Sequence, residues 1–320
     1  MHLIKTAILV SSFLVSADAA LASAPAPPAQ AAGYSLVFYD DFSNLSLSPT
    51  GGDQYAWYPG IFYETVPSPF NASIAYSVLD LEWTSGQNPA DTTISSCSSS
   101  GDHCRAFRYG YFEARMKWDV TTGAWPAFWM IPVEGIWGTT LETGELDIFE
   151  GQGGPATAHT FYGTVHDWVR TSGTALQVAS NRGSNTAVIA GVDFSQWHNY
   201  GVLWTPGKVT WYFDDSPLFS AATYPIFDEQ NYYLMLGAQE GVNFVNGNMS
   251  GVTASSMNLY VDWVKAWQLN QPLGANSNIK DIIIARPTRV EGTTKPKAAL
   301  SPAEAEAAAK TDRLIRRSDQ

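Results

Sequence analysis

Apolar and polar residues alternate with a period of two along much of this chain, and that pattern dictates strands. Leu79, Leu81 and Trp83 oppose Asp80 and Glu82. Phe112, Ala114, Met116 and Trp118 oppose Tyr111, Glu113, Arg115 and Lys117. Val209, Trp211 and Phe213 oppose Thr210 and Tyr212. Successive strand side chains point to opposite faces, so each run buries one face and presents the other. Gly, Pro, Asn and Asp punctuate the runs, as at Thr205-Pro206-Gly207-Lys208 and Asp214-Asp215-Ser216-Pro217. No long helical period interrupts residues 34 to 269. Many short strands without crossover helices predict an all-β, antiparallel sandwich or barrel, and spacing alone does not choose between them. Residues 34–270 are long enough for one all-β domain with a sizeable core.

Within this domain, Glu145-Leu146-Asp147-Ile148-Phe149-Glu150 puts three acids in six residues. On a strand Glu145 and Asp147 share a face, and strict alternation sends Glu150 to the other. One extra residue, a β-bulge, returns Glu150 to the face of the first two. Leu146 and one or both of Ile148 and Phe149 then bury. Three carboxylates on one face repel each other, which raises at least one pKa. Cleavage of a glycosidic bond needs such a set: one ionised carboxylate to attack and one protonated carboxyl to act as acid.

The charge balance narrows the substrate. The formal net charge is −12, and between residues 25 and 270 only Arg105, Arg108, Arg115, Lys117, Arg170, Arg182, Lys208 and Lys265 are basic. That argues against nucleic acid, whose phosphates need a basic face. It argues less strongly against sulfated or carboxylated glycans. A neutral polysaccharide fits better, and the twelve tryptophans supply flat rings, some of them expected to stack on sugar faces.

The ends have a different character. Residues 1–24 read as a signal peptide: Lys5 gives the positive start, Ala7 to Val15 a short apolar run, and Ala22-Ser23-Ala24 a small-residue cleavage site. The apolar run is too short to span a bilayer, and no later run is long enough. The protein is therefore expected to be secreted, extracellular or periplasmic, and is read as a monomer. Residues 25–33 form a Pro/Ala linker with little to pack. Residues 271–320 hold half of all Lys and Arg and form a tail. In it, Ser301-Pro302-Ala303-Glu304 opens an Ala-rich helical stretch, either a plain extension or a basic helix for the cell envelope. Cys97 and Cys104, the only cysteines, flank a Ser/Gly-rich turn. In an exported chain they read as a short-loop disulfide, the alternative being two free thiols.

Glu145-x-Asp147-x-x-Glu150 resembles the catalytic signature of glycoside hydrolase family sixteen, the laminarinase and lichenase family. Further stretches match that family in order: Tyr109 to Arg115, Trp125-Pro126-Ala127-Phe128-Trp129-Met130, Trp197-His198-Asn199-Tyr200 with Trp204, Trp211 to Asp214, and Val261-Asp262-Trp263-Val264. The extra residue before Glu150 is similar to the laminarinase, agarase and carrageenase branches. The resemblance implies a β-jelly roll of two sheets with a concave substrate cleft. It implies Glu145 as nucleophile, Glu150 as general acid/base and Asp147 as the helper between them.

The resemblance also places Trp125 and Trp129 along the cleft, though one inward and one outward is open if the strand bulges. It places His166 near the leaving-group side. Trp137 stands farther from Glu145 than the tryptophan of many laminarinases, which leaves its cleft role open, and Leu236 to Gly241 depart from the family's usual run. His198 reads as structural. Asp262 stands where relatives bind a structural calcium; no organic cofactor is implied. The function so implied is a retaining endo-β-glycanase acting on β-1,3- or mixed β-1,3/1,4-glucan. The alternatives are a transglycosylase, a hydrolase of another neutral β-glycan such as agarose, and a non-catalytic glycan-binding sandwich. The last predicts loss of a catalytic acid, yet all three acids are present.

Overall fold

A computed structural model describes residues 26–48, 55–61, 70–84, 87, 92–98, 103–136, 142–155, 157, 159–171, 175–240 and 256–269. The signal peptide, Trp137 and the tail of residues 271–320 lie outside the described residues. Sixteen strands are described. In chain order they are β1 (Tyr34–Asp40), β2 (Tyr58–Pro59), β3 (Ala72–Ala75), β4 (Val78–Thr84), β5 (Thr93–Ser95), β6 (Ala106–Phe107), β7 (Gly110–Trp118) and β8 (Ala124–Pro132). They continue as β9 (Glu142–Glu150), β10 (Thr160–Thr171), β11 (Ala175–Val188), β12 (His198–Thr205), β13 (Lys208–Phe213), β14 (Ser216–Ala222), β15 (Tyr232–Glu240) and β16 (Ser256–Leu269). The one α-helix among them is a single turn, Val133–Ile136. No described helix is long and apolar enough to cross a membrane.

The strands form two antiparallel sheets, so the sandwich is realised rather than the barrel. One runs β11-β10-β9-β8-β15-β5-β2, with β6 also on β15, and it carries the acidic strand β9. The opposite sheet runs β14-β13-β12-β7-β16-β4-β3, with β1 also on β16. Sequence neighbours often lie in different sheets, which is the jelly-roll winding.

The core is the set of inward faces that the alternation marks. Leu79, Leu81, Trp83, Phe112, Ala114, Met116, Trp118, Val209, Trp211 and Phe213 come from the opposite sheet; Phe128, Met130, Leu146, Ile148, Phe149, Phe161 and Val165 come from the acidic sheet. All meet in one cluster, whose burial is the main favourable term in folding. The turns fall where the sequence breaks. Gly207 has φ of 72° between β12 and β13, and Asp214 and Asp215 have φ of 45° and 62° between β13 and β14. Positive φ at both central residues suits a two-residue hairpin, and Asp tolerates it.

Two local readings change. The segment read as a linker packs at its end: Ala31 is fully buried against Tyr111 and Trp267 on the outer side of the opposite sheet. Gln30 Nε2 donates to Tyr111 Oη at 2.8 Å and to Asp215 Oδ1 at 3.0 Å. Alanine is small enough to sit on those rings, which the Pro/Ala composition alone does not reveal. The same contacts cover Tyr111, whose hydroxyl donates to Glu113; both are polar-face positions that are buried here. Cys97 and Cys104 are joined as a disulfide.

Candidate active site

The acidic strand contains the bulge its spacing predicts. On β8, Ala127 faces Glu150, Phe128 faces Phe149 and Trp129 faces Asp147, so the register skips Ile148. On β10, Tyr162 faces Glu150, Thr164 faces Asp147 and His166 faces Glu145. Those three β10 partners are two apart and share a face. Glu145, Asp147 and Glu150 therefore share one too, while Leu146, Ile148 and Phe149 all bury in the core.

A bulge breaks the ladder and needs other partners for its backbone groups. One comes from across the sandwich: Trp211 on β13 donates its Nε1–H to the carbonyl of Asp147 at 2.9 Å. Gly163, opposite the bulge, makes room for it. A Cβ there would lie 2.2 Å from Trp211 Nε1.

Each acid has a defined neighbour on the shared face. Trp168 Nε1–H donates to Glu145 Oε2 at 2.7 Å. Trp125 Nε1–H donates to Glu150 Oε1 at 2.9 Å. His166 Nε2 lies 3.0 Å from Asp147 Oδ2; with Asp147 ionised, that nitrogen carries the hydrogen. Trp168 stacks on His166, centroids 5.3 Å apart. Asp147 and Glu150 are only 3% and 4% exposed, whereas Glu145 is more open. Burial, then the charge of Glu150, pushes the Tyr162 phenol up, so it stays neutral beside that acid.

The structure brings Trp125, Trp129, His166 and the three acids to one face. Both tryptophans are half-buried there, resolving the alternatives left by their spacing, and Phe128 between them turns into the core. Two neighbours were not singled out from sequence, Trp168 and Tyr162. The signal was present: each lies an even number of residues from His166 on one strand. His198, read as structural, pairs with Asp214 at 2.7 Å, an acid brought back by the β12–β13 hairpin.

Two places bear on metals. Glu145, Asp147 and His166 have ligand atoms within 4.8 Å of one another, a spacing that could hold an ion, although two of them are the acids themselves. At Asp262, Oδ2 accepts from Arg115 at 2.5 Å. A cation bound there would share that carboxylate with the Arg115 guanidinium.

Fold and site together define a β-jelly-roll protein of the glycoside hydrolase type, with two glutamates, an aspartate and tryptophans on one sheet. The sequence profile of glycosyl hydrolases family 16 matches residues 70–265, and the chain belongs to that family. It is 30% identical over 269 residues to the endo-1,3-1,4-beta-glycanase EglC of Rhizobium meliloti (strain 1021), covering 73% of this chain and 51% of that protein. It is 24% identical over 175 residues to the glucan endo-1,3-beta-glucosidase A1 of Niallia circulans, covering 51% of this chain and 25% of that one. The chain thus spans about half or less of the length of these curated relatives. Its fold is similar to the catalytic domain of an endo-1,3-beta-glucanase (laminarinase) from Thermotoga petrophila RKU-1. The TM-score is 0.57 at 21% identity, covering 74% of this chain and 99% of that domain.

Proposed function

We propose that this protein is an exported, retaining endo-β-glycanase that hydrolyses β-1,3- or mixed β-1,3/1,4-glucan. The observation that carries this is the bulged strand, which aligns Glu145, Asp147 and Glu150 on one face beside Trp125 and Trp129. Glu145 attacks the anomeric carbon while Glu150 gives its proton to the leaving glycosidic oxygen. The bond to that oxygen breaks and a glycosyl ester forms on Glu145. Glu150, now ionised, takes a proton from water, which attacks the same carbon and frees Glu145. Two displacements at one centre retain configuration. Asp147, tied to His166, lies between the two glutamates and holds the charge balance of the set. The half-buried indoles offer apolar faces to a neutral sugar chain. The sequence's alternatives, transfer to a sugar acceptor or action on agarose, are outcomes of the same test.

The test is hydrolysis of laminarin, mixed-linkage glucan and agarose with NMR of the first products. β-Anomers from a β-1,3-containing glucan are expected. First-formed α-anomers would overturn the roles of the glutamates, and cleavage of agarose alone would overturn the substrate.

A further inference from the structure

An indole N–H reaches each glutamate, and the two indoles come from opposite sides of β9. Trp168 reaches Glu145 Oε2 from β10, and Trp125 reaches Glu150 Oε1 from β8. Indole nitrogen donates and never accepts. We infer that Trp168 and Trp125 are positioning residues that divide the work of the two carboxylates: Trp168 aims an ionised Glu145, and Trp125 sets which oxygen of Glu150 carries the proton. This rests on the glycanase reading above.

The chemistry differs at the two ends. At Glu145 a donor favours the charged form. It holds Oε2 and so fixes the orientation of the carboxylate that attacks. When the ester later breaks, the returning negative charge meets a donor already in place. At Glu150 the bond to Oε1 favours that oxygen as the carbonyl of the acid, which puts the proton on Oε2. As the proton leaves, Glu150 becomes anionic, and its bond to Trp125 becomes charge-assisted and roughly twice as strong. A fixed donor aimed at developing charge in a buried site lowers the barrier without reorganisation. Trp125, read from sequence as a sugar-stacking ring, thereby gains a second role through its edge.

Among the described residues, Asp147 and His166 also stand beside Glu145, and Tyr162 beside Glu150. They stay unchanged in the test. Two replacements are made at each position: phenylalanine, and β-(3-benzothienyl)alanine, which keeps the bicyclic shape and puts sulfur in place of N–H. At position 168 both should lower kcat on laminarin roughly 10- to 100-fold, the worth of one hydrogen bond to a charged group. They should also move the acidic limb of the pH–rate profile to higher pH, with KM little changed. At position 125 both should lower kcat/KM for laminarin much more than for an aryl glycoside whose leaving group needs no acid.

A benzothienyl variant with the wild-type rate, acidic limb and substrate ratio would overturn the proposal, because only the donor has been removed. It decides the matter even where the phenylalanine variant fails to fold. Wild-type protein inert on every glycan would instead sink the glycanase reading, and this inference with it.

Discussion

The indole of Trp211 and the backbone carbonyl of Asp147 join the two sheets at the bulge, 2.9 Å apart. The peptide that leads into the extra residue, Ile148, is thus paired from the far side of the core rather than by its own neighbours alone. Gly163 is part of the device, because the indole lies where its Cβ would be. Gly163→Ala should push Trp211 aside and leave a buried carbonyl without this partner, a cost of about 1–3 kcal/mol before any steric strain. Thermal melting should show the loss, and glucan hydrolysis should fall with it. An unchanged melting temperature and rate would mean that the bulge does not depend on this bond.

Substitution of the two glutamates should give unlike phenotypes. Glu145→Gln removes the proposed nucleophile and should abolish nearly all turnover on every substrate. Glu150→Gln removes the proposed proton donor and should spare the first step on substrates with good leaving groups. A burst of released aryl alcohol from the Glu150 variant, followed by slow turnover, is the expected trace. Equal loss on activated and natural substrates would reverse or refute the assignment.

Glu113 couples stability to pH. Burial pushes its carboxyl up to about 7 from an ordinary 4.5; the hydroxyl of Tyr111, donating at 2.8 Å, offsets part of that, and Asp215 adds to it. Between those two values the folded protein holds a proton that the unfolded chain has released. The contribution is full below 4.5, declines as pH rises, and is lost by about 7. Glu113→Gln cannot ionise, so its melting temperature should vary less between about pH 5 and about pH 8 and exceed that of the wild type at the upper end. Parallel melting curves would rule out this group as the source.

Calcium at Asp262 can be tested through its competitor. Arg115 now occupies Asp262 Oδ2, so a cation must displace or share that contact. Arg115→Ala frees the carboxylate, and calcium should raise the melting temperature of the variant more than that of the wild type, by mass action on the native state. The same shift in Asp262→Ala would place any calcium effect elsewhere.

Much of this architecture was legible because its signal is local. The period-two runs at residues 79–83, 111–118 and 209–213 name the core faces, and the spacing of Glu145, Asp147 and Glu150 demands one bulge, which lies at Ile148. What the sequence hid depends on contacts between distant segments. Nothing near Gly163 indicates that an indole from β13 must pass it. Nothing near Tyr111 says that residues 30–31 will pack on it, and Glu113, bonded to its hydroxyl on the polar face, is a buried acid. Asp262 is separated from Arg115 by 147 positions, and only the β7–β16 pairing makes them partners. Trp168 was within reach of the alternation, but its partner acid lies 23 positions earlier, where only the β9–β10 register connects them.

The docking of Ala29–Ala31 has a practical side. Ala31 rests against Tyr111 and Trp267, and Gln30 is bonded to Tyr111, on the outer side of the sheet opposite the acids. The chain is therefore gripped from behind when it is tethered through this segment. A resin bead, a fluorophore or a fused module attached there leaves the sugar-facing surface unobstructed for long or insoluble polymers. Gln30 and Ala31 would act as a short rigid stem between the attachment and the sandwich, so such a conjugate should hold a defined orientation on a surface.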